Sequence, residues 1–227
     1  MPTVCLKPIR LDVVRVTKVD ACGAPIHGSK TYVVSDGAVS VEVKMEIEAG
    51  TEYKLKGAND RFIVNDVGRP LLKWANVTIN MGKVDPEMYS LVTGSPIVLD
   101  DAATPNSVGF RIREQVYQDF ALEGWTDLSG QACVGGNVAY GYILFPWITN
   151  AIVGDFTLQN ELITFPIQQA RTKSGSAWGV GPFNVNKGVL DGLSKPLLTS
   201  INTLDHIDFH TTTLAPPTAV CGAQDLA

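Results

Sequence analysis

The sequence predicts a mainly β protein with one short helix, on three observations. Apolar and polar residues alternate along Val77-Thr78-Ile79-Asn80-Met81, and again with Val39, Val41, Val43 and Met45 on one side and Ser40, Glu42, Lys44 and Glu46 on the other. That period of two belongs to half-buried strands. The 21 glycines and 13 prolines imply frequent turns. Only one stretch, Asp85 to Gly94, has both helix ends marked. Asp85 can cap, Pro86 loses nothing in the first turn, and Glu87 sits near the positive end of the dipole. Met88, Leu91 and Val92 follow at helical spacing, and Gly94 stops the helix.

The remaining elements follow in chain order. Residues 1–9, with Pro2 and Pro8, read as an N-terminal arm, and Arg10 to Val19 as a β-branched strand. Residues 20–29 are a turn. Thr31 to Val34 and Ala38 to Met45 bracket Asp36-Gly37, which predicts a tight hairpin. Residues 49–73, punctuated by Gly50, Gly57, Asn59-Asp60, Gly68 and Pro70, read as a long irregular segment with one strand-like run, Phe62-Ile63-Val64. Such segments are more often functional than idle. Trp74 to Met81 is a strand, and after the helix Ser95-Pro96 leads into the strand Ile97 to Leu99. A loop over 100–110 follows. Phe110 to Leu122 reads as a long strand, with a helix as the alternative, and Trp125 to Gly136 as loop and strand edge. Val138 to Ile148, Ile152 to Leu158 and Leu162 to Ala170 are strands, the last with Pro166 marking an edge or bulge. A glycine-rich turn around Trp178 closes a domain over 10–186. Residues 187–227 read as a weakly structured extension that packs on the domain or on a neighbour.

Composition narrows the function. Charged residues make up 18% of the 227 positions, against about 25% in an ordinary soluble chain. So sparse a charge suggests surface buried against other subunits. The net charge is −5, with no basic run. This excludes tight electrostatic binding of nucleic acid and leaves room for DNA contact without adhesion. MPTVCLKPIRLDVV lacks the charged head and apolar core of a secretory signal. The most apolar stretch, 141–154, is too short for a membrane span and contains Pro146 and Asn150. Cys5, Cys22, Cys133 and Cys221 form no CxxC pair; three disulfide pairings are open, and without an export signal reduced thiols are expected.

Signatures of catalysis and cofactor binding are missing. The sequence holds no GxSxG and no GxxxxGK[ST], and Gly175, Gly179 and Gly181 do not match a dinucleotide fingerprint. His206 and His210 are four apart; on a strand that spacing is roughly 13 Å, too far for one ion. His27 stands alone in a turn. Glu46 with Glu48, Asp100 with Asp101, and Glu114, Asp119 and Glu123 resemble glycosidase acids only in type, and solvated strand faces are the plainer reading. Trp74, Trp125, Trp147 and Trp178 would serve a sugar platform or, more commonly, packing. No enzyme, cofactor or metal is expected.

Several stretches do resemble a known family: LDVVRVTKVDACGAP, WANVTINMGKVDPEMYSLVTG, GYILFPW followed by GDFTLQNELITFPIQ, WGVGPFNV, and DHIDFHTTTLAPPTAVCGA. In order and spacing they are similar to the major tail protein, the tail-tube subunit, of long-tailed phages of actinobacteria. The resemblance implies a β-sandwich of the tail-tube type with one flanking helix at about 85–93, assembling into hexameric rings that stack into a hollow tube. The tube would form around a tape-measure protein, meet tail terminator and distal tail or baseplate proteins, and later pass the genome. Its place would be the virion tail, after assembly in the bacterial host cytoplasm, with no membrane involved. Asp85, Pro86 and Gly94 would cap the family's helix. Residues 49–73, with Glu52, Lys54, Lys56, Asp60 and Arg61, would be the long inter-ring loop, and the terminal arms would stitch neighbours. Glu42, Lys44 and Glu46 would face the channel or an adjacent subunit. Relatives often add an immunoglobulin-like domain at the C-terminus, and none is expected here. The alternative is a carbohydrate-binding β-sandwich module of a phage fibre or baseplate; a glycoside hydrolase ranks below both.

Overall fold

In the computed structural model, residues 7–114, 116–128, 138–158, 160–161, 163–174, 178, 186–187, 194–195 and 199–226 are described. Before the helix lie β1 (Pro8–Lys18), β2 (Gly28–Ser35), β3 (Ala38–Glu48), β4 (Glu52–Lys56), β5 (Phe62–Val67) and β6 (Leu71–Met81). The helix α1 covers Pro86–Thr93. After it come β7 (Ile97–Leu99), β8 (Ser107–Phe110), β9 (Phe120–Leu128), β10 (Tyr140–Thr149), β11 (Ile152–Val153) and β12 (Phe165–Thr172). Two-residue strands β13 (Asn186–Lys187) and β14 (Ser194–Lys195) pair with each other, and β15 (Asp208–Thr212) and β16 (Val220–Leu226) finish the chain. The fold is mainly β, dominated by one large antiparallel sheet.

That sheet runs β16-β2-β1-β9-β10-β12-β6-β3, with β15 on β10 and β11 on β12. It bends at β10. The first part of that strand pairs with β15, from Tyr140↔Thr212 to Leu144↔Asp208, while its end pairs with β12 at Ile148↔Thr172 and Thr149↔Arg171. Pro146 lies at the register shift between Phe145 and Ile148, where a missing N–H lets the strand leave one ladder for another. The two halves then face each other. Val14, Val16, Val33, Leu122 and Phe145 from one half meet Val77, Ile79, Met81, Ile167 and Ala170 from the other. Met88, Tyr89, Leu91 and Val92 of α1 join the same cluster, so the helix is packed into the core. A second cluster, with Trp125, Tyr142, Leu144 and Trp147, covers the opposite face of β9 and β10. Burial on both faces explains why β9 is almost continuously buried.

Several boundaries differ from the sequence reading. Asp36-Gly37 is not a hairpin: β2 pairs with β1 and β16, while β3 pairs with β6 from Ala38↔Met81 to Glu48↔Leu71. The tight-turn signal is local, but the long matched register with β6 decides the partner. The turn becomes a corner, held by Gly82 N–H to Gly37 O (2.9 Å) and Lys83 to Asp36 (2.8 Å). Phe110 to Leu122 is not one strand. It divides into the end of β8 and the start of β9, and Ile112, Val116 and Tyr117 between them stay exposed. Trp125 belongs to β9, and Ile152 to Leu158 contributes only β11. Pro8 and Ile9 belong to β1 rather than to a free arm, and the rest of that arm lies outside the described residues. Within 187–227, β15 and β16 are ordered parts of the large sheet. Leu162 and most of the WGVGPFNV stretch lie outside the described residues.

Candidate functional site

Residues 49–73 depart furthest from expectation. They are no irregular loop but the outer half of a long two-stranded arm. β3 and β6 pair along their lengths, and β4 and β5 continue the ribbon from Glu52↔Val67 to Lys56↔Phe62. Gly50 and Gly68 sit at the joint, where Gly68 N–H donates to Thr51 O (2.9 Å). The tip closes through Gly57 N–H to Arg61 O (2.8 Å) and an ion pair of Lys56 with Asp60 (2.8 Å). Asp60 takes a left-handed φ of 60° there, which Asp tolerates better than most side chains. The segment from Glu48 to Lys56 extends the ribbon by roughly 25–30 Å at strand rise.

The candidate loop residues divide along this arm. Glu52, Lys54 and Lys56 lie on β4, with Lys54 paired to Glu52, and Asp60 and Arg61 form the tip. Between them the arm exposes Tyr53, Leu55, Phe62, Ile63, Val64 and Val67. Tyr53, Leu55 and Val64 share one face by register. Toward the arm β3 adds exposed apolar side chains: Val43 is 39% exposed, Met45 46% and Ile47 60%. An isolated two-stranded ribbon is at best marginal in water, and contiguous exposed apolar surface marks interaction sites.

The opposite face of β3 is polar. Glu42, Lys44 and Glu46 stand opposite Thr78, Asn76 and Trp74. Asn80 Nδ2 donates to Ser40 Oγ (2.8 Å) and Glu42 Oε1 (3.2 Å). The Arg171 guanidinium lies 5.0 Å from the centroid of Trp74. Where the two halves of the sheet diverge, an open apolar groove of about 80 Å³ lies between β3 and β1, β9, β10 and β15. Leu11, Val43, Leu122, Phe145 and Phe209 line it.

At the helix, Asp85 caps through Oδ1, which accepts from Glu87 N–H (2.9 Å) and Met88 N–H (3.3 Å). Pro86 takes the first helical position, and Gly94 closes the C-terminus at φ 70°. Asp85 and Glu87 also hold the last strand. Gly222 N–H donates to Asp85 Oδ2 (2.7 Å) and Ala223 N–H to Glu87 Oε2 (2.5 Å). Glu87 Oε1 accepts from Lys30 Nζ (2.8 Å) and Ser107 Oγ (2.6 Å). Burial works to raise the Glu87 pKa, but these donors outweigh it and hold the carboxyl below its ordinary value. The sequence reading recognised Glu87 only as a dipole partner; its contact with β16 spans 136 residues and leaves no local signature.

Other titratable groups have structural partners. Glu123, fully buried, accepts from Arg15 Nε (2.6 Å), Arg15 Nη2 (2.5 Å) and Tyr142 Oη (2.6 Å). Asp119 accepts from Trp147 Nε1 (2.9 Å), Asp100 holds Asn106 across its loop, and Glu48 pairs with Lys73. His206 Nδ1 meets Thr172 Oγ1 (2.9 Å) and His210 Nδ1 meets Asp208 (2.6 Å), so the two histidines serve different partners. Among the described residues no group of His, Cys, Asp or Glu is arranged to hold a metal, and no helix is long and apolar enough to cross a membrane. Cys22 and Cys221 are exposed free thiols; Cys5 and Cys133 lie outside the described residues. Trp125, Trp147 and Trp178 are buried, and Trp74 is partly covered.

No protein-family model matches the chain, and no curated protein matches it.

Proposed function

We propose that the chain is a structural subunit of a phage tail tube, a β-sandwich that self-assembles into stacked hexameric rings around a channel for the genome. The observation that carries this reading is the arm. A ribbon of this length with Tyr53, Leu55, Phe62 and Val64 in water is completed by a neighbour, and low overall charge fits a surface largely covered by copies of the same chain. The edge of β3 at the end of the sheet, which no strand among the described residues pairs, supports it too, since unpaired edges are a hazard unless another chain covers them. Sequence resemblance supplies the particular assembly. In that assembly Glu42, Lys44 and Glu46 lie on a face turned to the channel or to a neighbour, and the acidic balance keeps DNA from adhering. Partners are other copies, a tape-measure protein, terminator and distal tail proteins, and DNA in transit; no cofactor takes part. The carbohydrate-module reading loses its platform, because three of its four tryptophan rings are buried.

Negative-stain microscopy of the concentrated protein tests the proposal. Rings or tubes with a central hole are expected. Discrete solid particles that instead bind a glycan array would overturn it.

A further inference from the structure

The two faces of the arm differ in how far they are satisfied. On one, Lys54 pairs with Glu52, and Lys56 reaches both Asp60 and the Phe62 ring, 5.3 Å from its centroid. Those charges find partners inside the ribbon. On the other, Leu55 stands opposite Val64 and Tyr53 opposite Asp66, and the three apolar side chains are exposed. Asp66 keeps the inner end of that face polar. The uncovered apolar patch therefore lies toward the tip, centred on Leu55.

The groove between β3 and the facing layer is a deficit of the matching kind. Gly124 is buried beneath it, yet a side chain there would meet only the Leu11 tip, at 3.2 Å. Val43 and Phe209, both exposed, form part of its wall, with Phe209 paired to Ile143. At about 80 Å³ the space is smaller than the ~150 Å³ that admits a benzene ring, so it takes one aliphatic side chain.

We infer that this groove seats Leu55 from a second copy of the chain. Within one chain, Leu55 lies 12 positions beyond Val43 along the same extended pair, roughly 40 Å at strand rise. The fit is therefore between copies. Charges agree with it. Arg61 at the arm tip and Asp12 beside Leu11 have no ion-pair partner among the described residues, and docking Leu55 next to Leu11 brings these opposite charges near one another. Size sets the strength. A two-stranded face about 10 Å wide and 25–30 Å long falls short of the roughly 1,200 Å² of a stable standard interface, so one such contact is weak. Each copy offers one arm and one groove, and contacts run head to tail from copy to copy. Self-association, as proposed above, is presupposed; stacked rings are not.

Sedimentation of the full chain over a range of concentrations tests the contact through a double-mutant cycle. Leu55→Ala shortens the inserted side chain, and Gly124→Val fills the seat. Each alone should weaken association about tenfold, and the two together no further, because both remove the same contact. A combined loss of about a hundredfold would place arm and groove in separate contacts and overturn the inference, with self-association left intact. Unchanged association in either single variant would overturn it equally. Should Gly124→Val melt early, Phe209→Ser, at an exposed position, takes its place in the cycle with the same expected outcome. A wild-type chain that stays monomeric at every concentration would overturn both this contact and the proposed function.

Discussion

Asp85 joins two local tasks: it caps α1 and receives Gly222 from the last strand. Asp85→Ala should therefore cost about 1–2 kcal/mol, at the upper end for a cap, read as a lower midpoint in chemical denaturation. An unchanged midpoint would mean the clamp is idle. Glu87 supplies the pH dependence of the same clamp. Its folded pKa lies below the unfolded one, so its contribution is present above the ordinary carboxylate range and fades as pH falls through the folded value. Glu87→Gln should flatten the acid limb of the stability–pH curve, and thermal melts across the acid range measure this. Glu123 makes the stronger claim. Glu123→Leu removes the carboxylate that grips the largely buried Arg15 guanidinium and should destabilise by about 3–5 kcal/mol, whereas adding Arg15→Met should restore much of the loss. A double-mutant cycle by denaturation decides between coupling and simple additivity.

At the scale of elements, the arm carries the prediction. Leu55→Ser with Phe62→Ser changes two exposed side chains, so the melting midpoint should move little. Association should fall sharply in sedimentation, and unchanged association would remove the arm from the interface. A core change on the same hairpin should act oppositely: Ile79→Ala should cost about 2–5 kcal/mol by opening a cavity in the shared cluster. What the sequence made legible follows the range of the forces involved. Helix α1 was readable because Asp85, Pro86 and Gly94 act within one turn, and β6 because Val77, Ile79 and Met81 alternate against the core. Asp36-Gly37 misled because a turn residue states that the chain reverses, not which strand it will pair with. The β4–β5 ribbon was hidden because Gly50, Gly57, Asn59-Asp60, Gly68 and Pro70 cut the stretch into short runs, and the five-residue alternation of Glu52 to Lys56 is too brief to name a partner. Glu87, Arg15 with Glu123, and the Thr172–His206 link depend on partners distant in sequence, and no spacing announces them.

For the whole molecule, the large sheet is an incomplete object. Its core is dense where α1 packs into it, yet one side remains open at the groove, and β3 runs out into a ribbon with apolar residues in solvent. Pairing such surfaces between copies in a head-to-tail manner yields a ring when the rotation closes and a filament when it does not. The most direct measurement is a density map of the protein assembled at high concentration. It should show hexameric rings stacked about a hollow axis, with residues 52–67 ordered against a neighbouring copy. A map, or a scattering profile at the same concentration, of a solitary subunit with that ribbon still in solvent would contradict the account.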